Sequence, residues 1–359
     1  MKQVNHSLGA DPELFIERDG KIVGSEKAIP KNGLVAALYS KPSVVRDGVQ
    51  LELHPVQGNS ISLASTTANL SSIFKMLKDH LAKTPEIKAC FKPVIEVSKE
   101  ELASLSDESR VLGCQPSKNY YGLKMPTVDP VKYRKRSAGG HVHFGLGAPI
   151  YKTDGTDYRS RLVPICDLLL GTISCLIDLD PDQKERRKLY GMAGEYRLPI
   201  YGLEYRTLSN FWLRSVPLYQ LVMGLATQAV AILHTTLSSD MKEDIELELL
   251  ESVDFKRVVR GIQKNDYDLA RDTFDKIKPF IMKHFPDGNT KSPLYASGFE
   301  PAAPIHKLNM NQFEKFLDQV KTKGLDSFFP IDADKVIENW LVKTQWTGTE
   351  WLTFLDGIK

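Results

Sequence analysis

The chain has 359 residues, 42% of them apolar and 26% charged, an ordinary globular composition with enough apolar material for one large domain or two modest ones. Its 47 lysines and arginines against 45 aspartates and glutamates leave a net charge of +2 at neutral pH. No global field then draws it to nucleic acid or to an acidic membrane surface, so any polyanion has to be gripped locally.

The N-terminal MKQVNHSLGADPELF lacks the charged, apolar and small-residue succession of a signal peptide, and no apolar run reads as long enough to span a bilayer. A cytoplasmic protein with no membrane partner is the expectation. Cys90, Cys114, Cys166 and Cys175 are widely spaced with no CxxC, and two fall in an apolar segment. Reduced, structural thiols are expected.

Along the first part of the chain, PELFIE, KIVGSEKAIPKNG and GVQLELHPV alternate apolar and polar residues between turn signals, the pattern of half-buried strands. From Leu63 to Leu81 the apolar positions Leu63, Leu70, Ile73, Phe74, Leu77 and Leu81 recur at helical spacing, with Lys75, Lys78 and Asp79 opposite. FKPVIEV reads as a further strand and KEELASL as a short helix capped by Ser98. Residues 113 to 140, rich in glycine, proline, asparagine, tyrosine and lysine, read as a long ordered loop of the kind that covers sites.

After HVHFG, the stretch from Tyr158 to Asp178 is helical in pattern, and that from Val216 to Leu237 is apolar nearly all round, as in a buried helix. Further helices are expected near 242 to 253, 266 to 284, 310 to 322 and 333 to 344. They are interrupted by a linker or surface loop, FPDGNTKSPLYASGFEPAAP. The spacing gives a first region over 1 to 240 and a helical region over 241 to 359. Trp340, Trp346 and Trp351 should dock the tail, since exposing three tryptophans is unfavourable.

Five segments share one feature: Asp11 with Glu13, Glu52 with His54, His141 with His143, Glu195 with Arg197, and Glu204 with Arg206 each stand two residues apart. In a strand that spacing places both side chains on one face. Leu51, Leu53, Val142, Phe144, Tyr196, Leu198, Leu203 and Tyr205 would take the other. A solvated sheet face usually mixes lysine, threonine and serine with glutamate, whereas this set is carboxylate, imidazole and guanidinium. Carboxylate oxygen suits Mg²⁺ or Mn²⁺, imidazole favours Mn²⁺, and arginine offers a fork for phosphate. A divalent cation would also offset the mutual repulsion of clustered carboxylates.

Bland readings stand beside each pair. Asp11 and Glu13 could flank a turn at Pro12, HxH could be structural, and GEYR with GLEYR could be a salt-bridged hairpin. His54, before Pro55, could simply end a strand. Arg186 and Arg187 read either as a helix-end basic patch or as phosphate contacts. There is no GxxxxGK[ST], no GxGxxG after a strand and no GxSxG, and nothing places Cys114 beside a histidine.

Taken in order, GADPELF at 9 to 15, DGVQLELHP at 47 to 55, GCQPSKN at 113 to 119, SAGGHVHFG at 137 to 145 and RRKLYGMAGEYRLPIYGLEYRTLSNFW at 186 to 212 carry a resemblance over about residues 7 to 215. The chain resembles the phage-encoded COOH-NH2 ligase family, type 2, a branch of predicted amidoligases similar to glutamine synthetase and glutamate-cysteine ligase. That resemblance implies an α+β fold, in which an antiparallel sheet forms a funnel with packed helices, here followed by the C-terminal helical region. It also implies ATP and two or three divalent cations, Mg²⁺ or Mn²⁺, in a protein of the host cytoplasm.

By the same resemblance Glu13, Glu52, His141 and Glu204 would be metal ligands. His143, Arg206 and Arg187 would contact the nucleotide, and Arg206, Arg197 and Glu195 would serve catalysis. Asp11 departs from the ExE of glutamine synthetase, with Pro12 between the two acids. The implied reaction has a small-molecule or peptide carboxylate attack the γ-phosphate of ATP, and an amine displace the resulting acyl phosphate to give an amide. A non-catalytic phage binding or virion-associated protein on the same fold, and a metal-dependent hydrolase, are the competing readings.

Overall fold

The alternating segments fold as antiparallel strands because each has one apolar face to bury and one polar face to spare. In the computed structural model the described residues are 6–35, 43–55, 63–110, 112, 117–124, 126–129, 132–146, 157–238, 244–285 and 308–358. Cys114 and nearly all of the segment expected as a linker at 285 to 304 lie outside them.

In chain order the strands are β1 (Ser7–Ala10), β2 (Glu13–Arg18), β3 (Lys21–Val23), β4 (Val44–Asp47), β5 (Gln50–Leu53), β6 (Ile87–Cys90), β7 (Val94–Glu96), β8 (Lys118–Asn119), β9 (Lys135–Ser137), β10 (Val142–Gly145), β11 (Glu195–Arg197) and β12 (Gly202–Tyr205). One sheet has the order β1-β10-β12-β11-β8. A second runs β3-β2-β5-β4 with β6 also on β2, and β7 with β9 makes a two-stranded ribbon. All pairings among the described strands are antiparallel. The stretch from 113 to 140, expected as loop alone, thus contributes β8 and β9.

Each large sheet buries its apolar face against helices. Leu8, Ala10, Val142, Phe144, Leu203 and Tyr205 of the first sheet join one core with the helix Val216–Ser238. Leu14, Ile16, Val44, Leu51 and Leu53 of the second join the same core, with Leu70, Ile73, Phe74 and Leu77 of the helix Leu63–Leu81. The helical pattern read from 158 to 178 is realised as a 3-10 turn (Arg159–Arg161), an α-helical turn (Leu162–Cys166), a π-helical turn (Asp167–Gly171) and a final α-helical segment (Thr172–Ile177). Asp167 in the π turn accepts a 2.6 Å hydrogen bond from the Tyr205 hydroxyl, a polar strut through the apolar layer behind the sheet. Burial pushes the Asp167 carboxyl up to about 6.

Two helical stretches, Arg159–Ile177 and Val216–Leu237, are long and apolar enough to cross a membrane by length and composition. This corrects the expectation that no such run exists. Their apolar windows are 89% and 94% buried inside the protein, so the hydrophobicity is accounted for by core packing.

The apolar core continues past residue 240. Trp340, on the helix Ala333–Leu341, stacks on Phe74 at 5.1 Å and donates from its indole nitrogen to the Leu213 carbonyl at 2.7 Å. Trp351, on the helix Glu350–Asp356, is buried beside Phe313 and Phe316 of the helix Met310–Lys323. Gln220 donates to Glu350 at 2.6 Å and ties this tail to the central helix. The helix expected at 242 to 253 is shorter, Ile245–Glu251. Phe255–Lys264 and Glu350–Asp356 form helices that were not anticipated. Both are short segments, whose stability comes from docking one apolar edge rather than from propensity. Cys90, Cys166 and Cys175 are buried free thiols.

Because Trp340 is fully buried and bonded at both its ring face and its nitrogen, Trp340→Ala should cost about 3–5 kcal/mol. A denaturant midpoint unchanged from wild type would refute the claim that the tail belongs to the common core.

Candidate functional site

The polar face of the first sheet is a row set by strand register. His143 on β10 lies opposite Gly9 on β1 and Glu204 on β12, and Glu204 lies opposite Arg197 on β11. Carried two residues further, the same registers set Asp11 beside His141, His141 beside Arg206, and Arg206 beside Glu195. The backbone bond from Arg206 N to the Glu195 carbonyl, 3.0 Å, agrees with this. Cross-strand neighbours on one face stand close enough for side chains to touch, so two short rows gather all the charged pairs of β10, β11 and β12.

Asp11 leaves the end of β1 and bridges both imidazoles: its Oδ1 is 3.1 Å from His141 Nδ1 and its Oδ2 is 2.9 Å from His143 Nε2. Glu204 Oε1 lies 3.5 Å from His141 Nδ1, and the same oxygen is in short contact with Arg206. Asp11, His141 and Glu204 thereby offer ligand atoms within 4.8 Å of one another.

The second sheet supplies another triad. Glu13 on β2 is the direct cross-strand partner of Glu52 on β5. Asp47 reaches the same face from the end of β4, where a two-residue turn through Gly48 (φ 60°) leads into β5. Ser25 fixes that turn by donating from its hydroxyl to the Gly48 carbonyl at 2.9 Å and from its amide to the Val49 carbonyl at 3.1 Å. Glu13, Asp47 and Glu52 also lie within 4.8 Å of one another through their carboxylate oxygens. Asp47 was not among the residues expected from sequence. Its signal was the Asp-Gly turn of a hairpin, which puts Asp47 on the face of Glu52 once the turn is placed at Gly48 and Val49.

The two sheets are pinned together at the Gly-Gly step before the HxH. Glu13 N donates to the Gly139 carbonyl at 2.9 Å and Gly139 N donates to Glu13 Oε2 at 2.6 Å. At Gly140 a Cβ would stand 2.2 Å from the Ser209 carbonyl oxygen and 2.4 Å from the Trp212 ring nitrogen. That residue is therefore glycine so the HxH strand can lie against the 207 to 212 segment. A second unanticipated residue joins the triads: the Tyr190 hydroxyl is 2.6 Å from His141 Nε2 and 3.1 Å from Glu13 Oε1, and accepts from Arg206 at 3.1 Å.

The other expected residues fall in distinct places. Arg197 is a quarter exposed at the rim, 3.5 Å from Glu204. His143 sits at the edge of the first triad, its Nδ1 2.5 Å from the hydroxyl of the partly exposed Tyr201. His54 is exposed and pairs with Glu52 at 2.5 Å just after β5 ends. Glu195 is buried and already accepts from Ser117 Oγ (2.8 Å), Gly191 N (2.6 Å) and Met192 N (3.0 Å). It closes the 191 to 194 turn behind Arg206, which leaves little acceptor capacity for a reacting group.

Arg187 does not face the triads. Its buried guanidinium donates to the Gly191 carbonyl at 3.0 Å and the Thr207 carbonyl at 3.3 Å, against Ser174 and Cys175. Arg186 does the same for Thr207 and Leu208 at 2.9 and 2.6 Å. The pair does stand at a helix end, with Arg186 closing Gln183–Arg186 and Arg187 as its C-cap, but it is buried and serves neither as a patch nor as a phosphate contact: it clamps the backbone just after Arg206. The reason is burial: a guanidinium inside the protein spends its donors on carbonyls that would otherwise lack partners.

Electrostatically the triads differ. Burial alone would raise the Asp11 carboxyl, but His143 and His141 overcome it and hold Asp11 well below the usual carboxylate range. Burial lowers His141, helped by the Arg206 charge. At His143 burial also acts downward, yet Asp11 prevails and the net direction is up. In the second triad burial, Asp47 and Glu52 push Glu13 up to about 8, and burial with Glu52 pushes Asp47 up to about 6. Arg206 and Arg197 act downward on Asp47 without reversing its rise. A buried carboxyl and a partly buried one, both raised, in an all-oxygen set, are the donor chemistry of a hard divalent cation, and the first triad with its imidazole fits Mn²⁺ as well as Mg²⁺.

A stability test follows from the raised carboxyls. The folded state keeps protons on Glu13 and Asp47 that the unfolded chain, with ordinary carboxyl values, releases. In chelator the protein should therefore lose stability as pH rises from about 5 to 8. Glu13→Gln, which can still accept from Gly139 and donate to Tyr190, should flatten that decline in thermal melts. A decline as steep as wild type's would show that Glu13 is not the raised group.

No curated protein matches the chain. Residues 127–250, about a third of the length, match the family model described as Phage phiEco32-like COOH.NH2 ligase-type 2. The matched stretch holds His141, His143, Tyr190, Glu195, Arg197, Glu204 and Arg206, whereas Asp11 and the second triad lie N-terminal to it. Family match and motif resemblance therefore point to the same identification, and over residues 127–250 the chain is similar to the phage COOH.NH2 ligases of type 2.

Proposed function

We propose that the two triads and the arginines beside them form the active site of an ATP-dependent carboxylate-amine ligase that uses Mg²⁺ or Mn²⁺ and passes through an acyl phosphate. The observation that carries the reading is the pair of carboxylate-rich triads, one with an imidazole, on the polar faces of two antiparallel sheets with Arg197 and Arg206 beside them. When bound, divalent cations would offset charge on the phosphates of ATP and on the transferring phosphoryl group. Asp11, His141 and Glu204 would hold one, and Glu13, Asp47 and Glu52 another.

The chain's own groups do the rest. Arg197 stands at the rim with a planar fork suited to phosphate or carboxylate oxygens. His143, held by Tyr201 on one ring nitrogen and Asp11 on the other, stands at the same edge and would contact a phosphate by exchanging one of these partners. Arg206 is buried and cross-braced by Glu204, Glu195 and Tyr190, and its fixed charge supports the electrostatics of phosphoryl transfer without reorganisation. The antiparallel sheets are compatible with the funnel of the glutamine synthetase type. In this reading a carboxylate substrate is activated because a free carboxylate is a poor electrophile, and an amine then displaces phosphate to leave an amide.

The test is release of ADP and phosphate from ATP with Mg²⁺ or Mn²⁺ across pooled carboxylic acids and amines. Wild type should turn over in a substrate-dependent way. Glu204→Ala and His141→Ala should each lose about 10²-fold or more, while Arg187→Lys should alter stability before turnover. ATP that neither binds nor turns over in any pool would overturn the reading in favour of a non-catalytic protein, and metal-dependent hydrolysis without ATP would favour a hydrolase.

A further inference from the structure

Tyr190 comes from the turn that follows the short helix Gln183–Arg186. Its ring lies between two guanidiniums, with Arg186 and Arg206 each 5.2 Å from the centroid. Its hydroxyl touches a member of each triad, His141 in the first and Glu13 in the second, and accepts from Arg206 as well.

We propose that the Tyr190 hydroxyl is a positioning group that couples the two triads, so that a divalent cation on either one raises the affinity of the other. This rests on the reading of the triads as cation sites. A phenol oxygen has one proton to give and accepts at its lone pairs, arginine only donates, and an ionised carboxylate only accepts. With Glu13 ionised, as a cation ligand must be, Tyr190 gives its proton to Glu13 Oε1 and accepts from Arg206 and from His141 Nε2–H. His141 is thereby fixed in the tautomer whose Nδ1 lone pair faces Asp11 Oδ1 at 3.1 Å and Glu204 Oε1 at 3.5 Å.

A lone pair aimed at two carboxylates is repulsive unless a cation lies between them. The opposite polarity, with Nδ1–H turned to Asp11, requires Tyr190 to give its proton to Nε2 and leaves Glu13 facing the phenol oxygen with no proton between them. Filling the second triad therefore selects the form of His141 that ligates in the first, and by linkage the reverse holds too.

The experiment is a Mn²⁺ titration of the full chain, read by the spin-resonance signal of free Mn²⁺. Wild type should fill both triads with a Hill coefficient above one. Tyr190→Phe keeps the ring between the guanidiniums but lacks the hydroxyl. It should fill them without cooperativity, with the first triad weakened about 10–100-fold. Glu13→Gln should weaken Mn²⁺ at the remaining triad in wild type and have no further effect in Tyr190→Phe, the signature of coupling through the hydroxyl. Independently of any variant, nitrogen NMR of histidine-labelled protein with Mg²⁺ should report His141 protonated on Nε2.

Cooperativity that survives in Tyr190→Phe, or a His141 protonated on Nδ1 in the Mg²⁺-loaded protein, would overturn the coupling alone and leave the ligase reading standing. A wild-type protein that binds no Mn²⁺ at all would overturn both.

Discussion

The crowding of like-charged carboxylates around a buried glutamate is the constraint around which the rest of this structure is arranged. Glu13, Asp47 and Glu52 are brought together by two strand pairings and a tight turn, although Asp47 and Glu52 raise the cost of ionising Glu13, and Glu52 that of ionising Asp47. Folding can sustain that cost because the apolar faces of the same strands supply the core: Leu14, Leu51 and Leu53 are fully buried directly behind the acids. Period-two alternation thus ties the hydrophobic gain and the electrostatic strain to one set of strands, and neither can be changed without the other. Under the proposed function, a bound cation would offset this repulsion.

Around this centre the buried arginines show how one residue type serves opposite ends. Arg186 and Arg187 spend their donors on backbone carbonyls at 191, 207 and 208. Their effect is mechanical, since they fix the chain immediately after Arg206. Arg206 is in turn surrounded by Glu204, Glu195 and Tyr190, so its guanidinium is held by groups that are themselves held. Glu195, with its two amide donors and a serine hydroxyl, belongs to this supporting layer. Under the proposed function, this arrangement would suit electrostatic stabilisation of a transferring group, since the positions of its charges do not depend on the ligand.

Much of the site was legible in the chain because strands impose a period that side-chain chemistry can be read against. The pairs at 141 and 143, 195 and 197, and 204 and 206 could be assigned to one face from spacing alone, and the intervening Val142, Tyr196 and Tyr205 to the other. The long helices Leu63–Leu81 and Val216–Ser238 were legible for the same reason, each carrying many turns of apolar pattern. Phe255–Lys264 and Glu350–Asp356 were not, although the equally short Ile245–Glu251 and Ala333–Leu341 were; a helix of two or three turns carries little period and is stabilised by what it docks on.

The sequence by itself determined which residue types alternate, hence which side chains share a face within each strand, and which segments had to be buried. Local sterics and the hydrophobic effect act over a few residues and need no knowledge of partners. Only the tertiary structure decided which faces meet. It set Asp47 beside Glu13 and Glu52 through the geometry of a turn, and brought Tyr190 between His141 and Glu13 although 49 and 177 residues separate it from them. It also turned Arg187 inward to the backbone and away from the triads. Such outcomes depend on strand order and on how helices close over a sheet, and those are fixed by the packing of the whole core, which no local pattern encodes.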